Sequence, residues 1–158
     1  ADFTGLPHRL QLVCEHNSVR YYNDSKSTTP DAARLAIRSF IDPPADTAPG
    51  VHVILGGYDK GSDLTDLARY AGRHCRGVYT IGATGDTIAA AATAAQKASV
   101  LRCETLDRAV EQASRQAAPG DVVILSPGCA SWDQFENYEK RGAAFVEAVL
   151  KHNTEPAR

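Results

Sequence analysis

The chain has 158 residues and a mass of 16.9 kDa, which predicts one domain that can bury a substantial core. Hydrophobic residues make up 43% and charged residues 23% of the sequence, a composition that argues against intrinsic disorder. The formal net charge of −2 argues against a nucleic-acid partner or an anionic membrane surface. No apolar run approaches the roughly 20 residues that cross a bilayer, and no signal-peptide pattern is present, so we expect a cytoplasmic protein.

Cysteines and histidines are scattered along the chain. No C-x-x-C pair and no H-x-x-x-H spacing occurs, so the sequence predicts neither a disulfide framework nor a metal site. We expect the cysteines to be reduced, packed thiols. The cysteines are Cys14, Cys75, Cys103 and Cys129, and the histidines are His8, His16, His52, His74 and His152.

The predicted elements alternate between short apolar strands and longer amphipathic helices. Two neighbouring strands, at 10–15 and 19–23, are joined by a turn at Asn17. A helix follows at 31–41, and a Pro-rich loop at 43–50 ends it. The remaining elements are strands at 51–55, 77–81, 99–102 and 121–125, and helices at 64–73 (with Asp63 as the candidate N-cap), 87–96, 106–117 and 135–151.

This alternation predicts the fold class. Strands that alternate with helices of ten or more residues need crossover connections, which favours parallel pairing. The strands are almost uniformly apolar, as expected when helices cover both faces of a sheet. We therefore expect a three-layer, Rossmann-like α/β domain with a mainly parallel sheet of about six strands, one of them antiparallel. The tail after Lys151 is expected to be frayed.

Three loops that follow predicted strands are rich in functional groups. They cover residues 23–29, 56–63 and 126–134, and each combines small residues with cations or hydroxyls. In open α/β sheets, ligands bind beyond the carboxyl ends of the strands, where helix N-termini also point. The sequence therefore predicts a shared anion site at this edge.

Each loop also has a purely structural interpretation. The first could be a turn that caps a helix starting at Pro30, and the second a tight Gly-Gly turn with Lys60 as a solvated charge. The spacing from Gly56 to Gly61 resembles the start of a P-loop, but Ser62-Asp63 follows instead of Lys-Ser/Thr, so that motif fails. Residues 82–85 are interpreted as a plain turn.

The third loop invites a nucleophile, but the pattern does not support one. Cys129 has no nearby histidine to act as a base, so packing is the favoured role, and Ser131 has no recognisable triad partner. Trp132, Phe135 and Tyr138 have the spacing of a helix face that packs onto a sheet.

Five short motifs in order carry a resemblance to a known family. Together they resemble the C-terminal domain of the Mur ligases, over nearly the whole chain. The N-D-S-K element occurs in variants across Mur ligases and folylpolyglutamate synthases, whereas the fourth element is more specific to the D-glutamate-adding branch. The motifs are L-P-H-R-L at 6–10, N-D-S-K-x-T at 23–28, L-G-G-x-x-K-G at 55–61, L-S-P-x-C-A-S-x-D-Q-F at 125–135 and R-G at 141–142.

The resemblance implies one part of a three-domain, ATP-dependent ligase in peptidoglycan synthesis. A substrate carboxylate, here that of UDP-N-acetylmuramoyl-L-alanine, is phosphorylated to an acyl phosphate, and the amine of D-glutamate attacks it. An N-terminal domain would hold the UDP sugar, and a central domain would carry the P-loop and most ligands of Mg²⁺. Residues 1–158 would form the domain that presents the amino acid, closes over ATP and packs against the central domain.

The same resemblance implies roles toward the nucleotide. Arg9 would face the ATP phosphates, where a permanent cation offsets the charge of the transferred group. Asp24 would accept hydrogen bonds from the ribose hydroxyls. His8 and Lys26 match positions near the phosphates and the reaction centre, which makes them the catalytic candidates.

It also implies a site for the amino acid. Lys60, Ser131 and Thr28 would donate to the carboxylates of D-glutamate, and Trp132 and Tyr138 would form the wall of the pocket.

Three residues depart from the family pattern. Tyr58 stands where an acidic residue is common, Trp132 replaces an aliphatic residue, and Tyr138 replaces a phenylalanine. The alternatives are a domain of another Mur ligase or of a folylpolyglutamate synthase, and a stand-alone ligand-binding module without catalysis.

Overall fold

The computed structural model of the chain describes residues 6–41 and 48–154. Within these ranges it contains six strands and five helices. The strands are β1 (Gln11–His16), β2 (Val19–Asn23), β3 (Val51–Gly56), β4 (Gly77–Ile81), β5 (Ser99–Glu104) and β6 (Val122–Leu125). The helices are α1 (Pro30–Ile41), α2 (Thr65–His74), α3 (Gly85–Ala94), α4 (Leu106–Gln116) and α5 (Tyr138–Thr154).

All the strands join one sheet in the order β1-β2-β6-β3-β4-β5. β1 is antiparallel to β2 and every other neighbouring pair is parallel, which confirms the predicted sheet. Register breaks occur in the β1–β2 ladder between Leu12 and Cys14 and in the β4–β5 ladder between Thr80 and Ile81. Because β6 enters between β2 and β3, the carboxyl ends of these three strands lie side by side.

Helices cover both faces of the sheet, as the sequence predicts. α1, α2 and α3 pack on one face over Val53, Leu55 and Ile124, and α4 and α5 pack on the other over Ile54 and Leu125. Alternate residues of one strand thus serve opposite cores, which is why the parallel strands are continuous apolar runs. Each of these fully buried side chains contributes about 1.5–3 kcal/mol by leaving water.

Four of the five predicted helix starts are shifted, that of α1 by one residue, to Pro30. α2 begins at Thr65, and the residue at its N-cap position is Leu64, whose side chain cannot cap. Asp63 lies one position further out, where its carboxylate accepts a hydrogen bond from the Thr65 amide at 2.9 Å. α3 begins at Gly85, two residues earlier than predicted.

The predicted start of α5 at residue 135 is wrong. The chain first makes a turn in which the Phe135 amide donates to the Ser131 carbonyl at 2.8 Å. The side chain of Asn137 then accepts a hydrogen bond from the Lys140 amide at 2.8 Å, as an N-cap does, and α5 begins at Tyr138.

The expected fraying after Lys151 is also wrong as far as residue 154. α5 continues to Thr154, and the buried Asn153 fixes its last turn to the sheet. The Asn153 side-chain oxygen accepts a hydrogen bond from the Tyr21 hydroxyl at 2.9 Å, and its Nδ2 donates to the Val149 carbonyl at 2.8 Å. Residues 155–158 and most of the predicted loop at 43–50, namely 42–47, lie outside the described residues.

All four cysteines are free thiols, and three of them are buried. Burial raises the pKa of Cys103 to about 11 and raises the pKa of Cys129 as well, so both remain protonated at neutral pH. In the ranges that the structure describes, no helix has the length and apolarity needed to span a membrane.

A buried polar network lies at the amino-terminal edge of the parallel strands. His52 Nε2 lies 2.9 Å from Asp121 Oδ2, and His52 Nδ1 lies 2.9 Å from the Tyr79 hydroxyl. Asp121 also accepts hydrogen bonds from Arg76 Nη1 at 2.7 Å and from the Ala118 amide at 3.0 Å. Burial lowers the pKa of His52, and the hydrogen bond and charge of Asp121 offset this lowering only in part. Burial raises the pKa of Asp121, but these hydrogen bonds and the Arg76 charge outweigh it and hold the pKa below its usual value.

This network makes stability depend on pH. Because the folded-state pKa of His52 is lowered, the unfolded chain binds the proton first as the pH falls below 6.5. The stabilisation is therefore present above that pH and is lost as the pH falls toward the folded-state pKa.

His52→Leu should lower the free energy of unfolding by about 2 kcal/mol at neutral pH and weaken its pH dependence. Denaturant titrations at about pH 7.5 and pH 5.5 measure both effects, and an unchanged pH dependence in the variant would contradict the assignment.

Candidate functional site

The three polar loops meet at the carboxyl edge of the sheet, as the sequence predicts. They are named by the strand that precedes them: the β2 loop (23–29), the β3 loop (56–63) and the β6 loop (126–134). The Gly56 amide donates to the Pro127 carbonyl at 2.9 Å, and the Gly128 amide donates to the Ser27 carbonyl at 2.9 Å. The central β6 loop is therefore hydrogen-bonded to both of its neighbours.

The glycine pair of the β3 loop allows this close approach. Gly56 has a φ of 120°, and a Cβ there would come within 2.1 Å of the Ile81 carbonyl oxygen. Gly57 has a φ of 151°, and its Cβ would lie 2.5 Å from the Ala130 carbonyl oxygen. Both positions combine positive φ with contact to a neighbouring backbone, so a side chain does not fit at either one.

Asp24 holds the loops together from within. It is 2% exposed, and its Oδ1 accepts a hydrogen bond from the Leu10 amide at 3.0 Å. Its Oδ2 accepts from the hydroxyls of Ser27 at 2.5 Å and Ser126 at 2.7 Å. The carboxylate thus joins the segment before β1, the β2 loop and the β6 loop. Its role toward a ribose stays a prediction.

Three of the predicted nucleotide residues line one groove. Arg9, Asp24 and Lys26 border a groove of about 610 Å³ beside α1, whose Leu35 and Ala36 form an apolar wall. Arg9 and Lys26 are exposed, and no carboxylate among the described residues forms an ion pair with either of them. Two unpaired cations beside an apolar wall suit a ligand that has phosphates and a ring.

His8 lies deeper, between the β2 loop and α5. Its carbonyl accepts a hydrogen bond from the Lys26 amide at 2.9 Å, and its Nδ1 lies 3.0 Å from Asn23 Nδ2. Asn23 Oδ1 accepts a hydrogen bond from the Ser25 amide at 3.1 Å, which turns the Asn23 Nδ2 toward the His8 ring. The ring meets Tyr138 edge to face, with centroids 6.0 Å apart. Gly142 makes room for it, because a Cβ there would lie 2.1 Å from His8 Nδ1.

The predicted amino-acid residues lie apart from that groove. Ser131 is 2% exposed, and its Oγ has no hydrogen-bond partner among the described residues. A buried hydroxyl without a partner costs about 1–3 kcal/mol, and a ligand that bonds to it removes that cost. Lys60 is exposed and borders a narrow cleft with Cys129, again without an ion pair in the described part of the chain. Thr28 is half-buried on the β2 loop.

Trp132 does not belong to a helix face on the sheet, so that prediction is wrong. It is 62% exposed and lies before α5 begins. Its ring meets that of Tyr58, which is 40% exposed, edge to face at a centroid distance of 5.4 Å. The Tyr58 amide donates to the Ala130 carbonyl at 2.8 Å, which brings the two loops together. The result is an exposed aromatic pair between the β3 and β6 loops, and its Trp132 directly follows Ser131.

Asp133 and Gln134 fasten the β6 loop, a role that the sequence motifs did not predict. Asp133 Oδ2 accepts a hydrogen bond from the Ala83 amide at 2.9 Å, and Gln134 Nε2 donates to the Glu104 carbonyl at 2.8 Å. They anchor the loop across the ends of β4 and β5. The only signal for this role was that the fourth motif contains this polar pair, at the end of the β6 loop.

These features define an α/β domain in which cations at one edge of the sheet form no ion pair within the described residues. The chain belongs to the Mur ligase family, because the family model described as "Mur ligase, glutamate ligase domain" matches residues 8–129. A UDP-N-acetylmuramoylalanine–D-glutamate ligase of Acidobacterium capsulatum is 45% identical over 151 residues, which is 96% of this chain and 31% of that protein. The chain thus spans about a third of the length of this relative.

Solved structures show the same fold. A domain from a putative UDP-N-acetylmuramate:L-alanyl-gamma-D-glutamyl-medo-diaminopimelate ligase of Haemophilus ducreyi has a TM-score of 0.63 at 14% identity, with 90% of this chain and 98% of that chain covered. The MurF ligase of Thermotoga maritima in complex with ADP has a TM-score of 0.62 at 16% identity, with 99% and 34% covered. At such identities the likeness shows the fold alone. The first structure shows that a domain with this fold crystallises separately.

Asp24 provides a test of how the loops are held. Asp24→Ala should lower the free energy of unfolding by about 3 kcal/mol, because two buried hydroxyls and one amide lose their acceptor. The matched control is Asp59→Ala in the β3 loop, where an exposed carboxylate accepts only from the Gly61 amide. The control should cost about 0.5 kcal/mol. Chemical denaturation measures both variants, and equal losses would contradict the role of Asp24.

Proposed function

We propose that the chain is the C-terminal, amino-acid-binding domain of an ATP-dependent ligase that adds D-glutamate to UDP-N-acetylmuramoyl-L-alanine. Two observations on the described residues carry this proposal: cations at the loop edge form no ion pair there, and the buried Ser131 hydroxyl has no hydrogen-bond partner there. The name of the relative that is 45% identical supplies D-glutamate as the amino acid. The fold neighbours from other branches share only 14–16% identity, so they support the alternatives less well.

In this reaction the γ-phosphoryl group of ATP passes to the carboxylate of the UDP substrate. The amine of D-glutamate then attacks the acyl phosphate, the new C–N bond forms, and inorganic phosphate leaves. Arg9 and Lys26 at the groove of about 610 Å³ would offset the charge of the phosphates. His8, whose ring lies beside Tyr138, would face the reaction centre. The ADP in the structure of the Thermotoga maritima ligase supports a nucleotide in this role.

D-Glutamate would bind at the β6 loop. Ser131 Oγ, which has no hydrogen-bond partner in the described residues, would donate to one carboxylate, and Lys60 and Thr28 would donate to the dianion as well. Trp132 and Tyr138 would cover the methylene groups. Positioning of the amine against the acyl phosphate, with water excluded, is the main contribution of such a site.

Mg²⁺ is expected to accompany ATP, but the described residues do not fit a metal site. They contain no group of three His, Cys, Asp or Glu side chains that could hold an ion. We therefore expect its ligands in a central ATPase domain, against which this domain would pack. A further domain would bind the UDP sugar, and the whole enzyme would act in peptidoglycan synthesis in a bacterial cytoplasm. The 31% coverage of the relative leaves room for both domains.

Because the proposal assigns the ATPase and UDP-sugar sites to other domains, it predicts that the 158-residue chain is inactive alone. With ATP, Mg²⁺, D-glutamate and UDP-N-acetylmuramoyl-L-alanine, it should form no amide bond and release no phosphate above the background rate, because it lacks a complete P-loop. Phosphate release and product chromatography measure this. Ligation by the chain without added domains would contradict the proposal.

The amino-acid site is tested in the full-length ligase that contains this chain. Lys60→Ala and Ser131→Ala should each raise the KM for D-glutamate about tenfold, the effect of losing about 1.4 kcal/mol of binding, and change the KM for ATP much less. Lys97→Ala, which removes an exposed cation after α3, is the control and should leave both constants unchanged. An unchanged KM for D-glutamate in both site variants would count against the assignment.

A further inference from the structure

A buried arginine lies beneath the three loops. Arg141, in the first turn of α5, is 1% exposed, and the reaction described above gives it no role. Arginine is almost never fully buried unless it is paired. Nevertheless, no carboxylate in residues 6–41 or 48–154 forms an ion pair with Arg141.

Its hydrogen bonds go to two of the site loops. Arg141 Nε donates to Ser25 Oγ at 3.0 Å, and Nη2 donates to the Ser25 carbonyl at 2.8 Å. On the other side of the fork, Nη1 donates to the Cys129 carbonyl at 2.9 Å. One planar group therefore spans the β2 loop and the β6 loop.

The contacts extend to the third loop and to the start of α5. Ser25 Oγ, which accepts from Arg141, donates in turn to the Tyr138 carbonyl at 2.7 Å. In the β3 loop, a Cβ built at Gly57 would lie 3.4 Å from Arg141 Nη1, so a side chain at that position would contact the guanidinium. Arg141 is thus hydrogen-bonded to the β2 and β6 loops and is linked through Ser25 to the start of α5, and it lies near Gly57 of the β3 loop.

The residues that Arg141 contacts are close in sequence to proposed site residues. Ser25 directly precedes Lys26 and lies three residues before Thr28. Cys129 lies two residues before Ser131, whose buried Oγ has no hydrogen-bond partner among the described residues. The guanidinium therefore fixes the backbone close in sequence to Lys26 and Thr28 on the β2 loop and to Ser131 on the β6 loop.

The charge of Arg141 also fits an anion site. Burial lowers its pKa to about 10, so the group remains charged at neutral pH. The charge of Asp133 also acts on Arg141, but no ion pair joins the two in the described residues, so the buried guanidinium contributes positive potential that the protein screens less than water does.

We propose that Arg141 is a positioning residue of the amino-acid site. Its guanidinium holds the β6 loop against the β2 loop, so that Ser131 and Thr28 can bind the same ligand. This inference rests on the proposed function, since D-glutamate is taken as that ligand. Lysine cannot replace the fork, because a single ammonium on a flexible stem does not fix two carbonyls and a hydroxyl in one plane.

The test is the kinetics of Arg141→Lys in the full-length ligase. We expect the KM for D-glutamate to rise about tenfold and the KM for ATP to rise less than about threefold. A merely structural role would reduce the active fraction, which lowers kcat and leaves both KM values unchanged. The matched control is Arg115→Lys on α4, an exposed arginine that pairs with Glu111 at 2.8 Å, and it should behave as the wild type.

A spectroscopic readout locates the effect. Trp132 is the only tryptophan of the 158 residues and directly follows Ser131, so its indole N–H resonance reports on the β6 loop. In the chain by itself, which has its own two cores, Arg141→Lys should shift this resonance and Arg115→Lys should not. If the lysine variant does not fold, Ser25→Ala removes the Nε acceptor and should raise the KM for D-glutamate about threefold.

The two levels of the hypothesis fail in different ways. A wild-type ligase that does not use D-glutamate would overturn the proposed function. A wild-type ligase that uses it, together with an Arg141→Lys variant whose KM for D-glutamate is unchanged, would overturn only the role of Arg141.

Discussion

The position of β6 between β2 and β3 is the constraint on which the site depends. It places three chain segments that are distant in sequence at one edge, within reach of each other's backbone. Hydrogen bonds from Gly56 to Pro127 and from Gly128 to Ser27 then join the loops. The Asp24 carboxylate accepts hydrogen bonds from hydroxyls of the β2 and β6 loops, and the Arg141 guanidinium donates hydrogen bonds to carbonyls of the same two loops. The Asp24 carboxylate and the Arg141 guanidinium thus act as separate structural centres, and each makes its hydrogen bonds to uncharged groups.

Much of the fold could be predicted because its signals are local. Apolar runs and helical periodicity identify all the strands and helices, and their alternation implies the parallel sheet. The start of α5 could not be found in this way. Trp132, Phe135 and Tyr138 have helical spacing, but the turn at Ser131 and the cap at Asn137 decide where the helix begins. The last turn of α5 could not be predicted from local signals either, because the hydrogen bond that orders Asn153 comes from Tyr21, 132 residues away.

The site was predictable to the level of loops but not to the level of contacts. The motifs placed hydroxyls and cations at one edge, and the structure agrees. However, the groove beside Arg9 and Lys26 does not include Lys60 or Ser131, so the nucleotide and amino-acid candidates occupy separate regions in the described chain. Arg141 could not be recognised, because it is separated by 116 positions from Ser25 and looks like an ordinary helix cation in the sequence.

The register breaks near both edges of the sheet affect how the domain can meet other polypeptides. β1 and β5 are the outermost strands, and their ladders are interrupted at Leu12/Cys14 and Thr80/Ile81. β5 also carries the exposed charges of Arg102 and Glu104. Irregular, charged outer strands are poor templates for the addition of a further strand. A second polypeptide is therefore more readily accommodated on the helices and loops of this domain than as an added strand at either edge of the sheet.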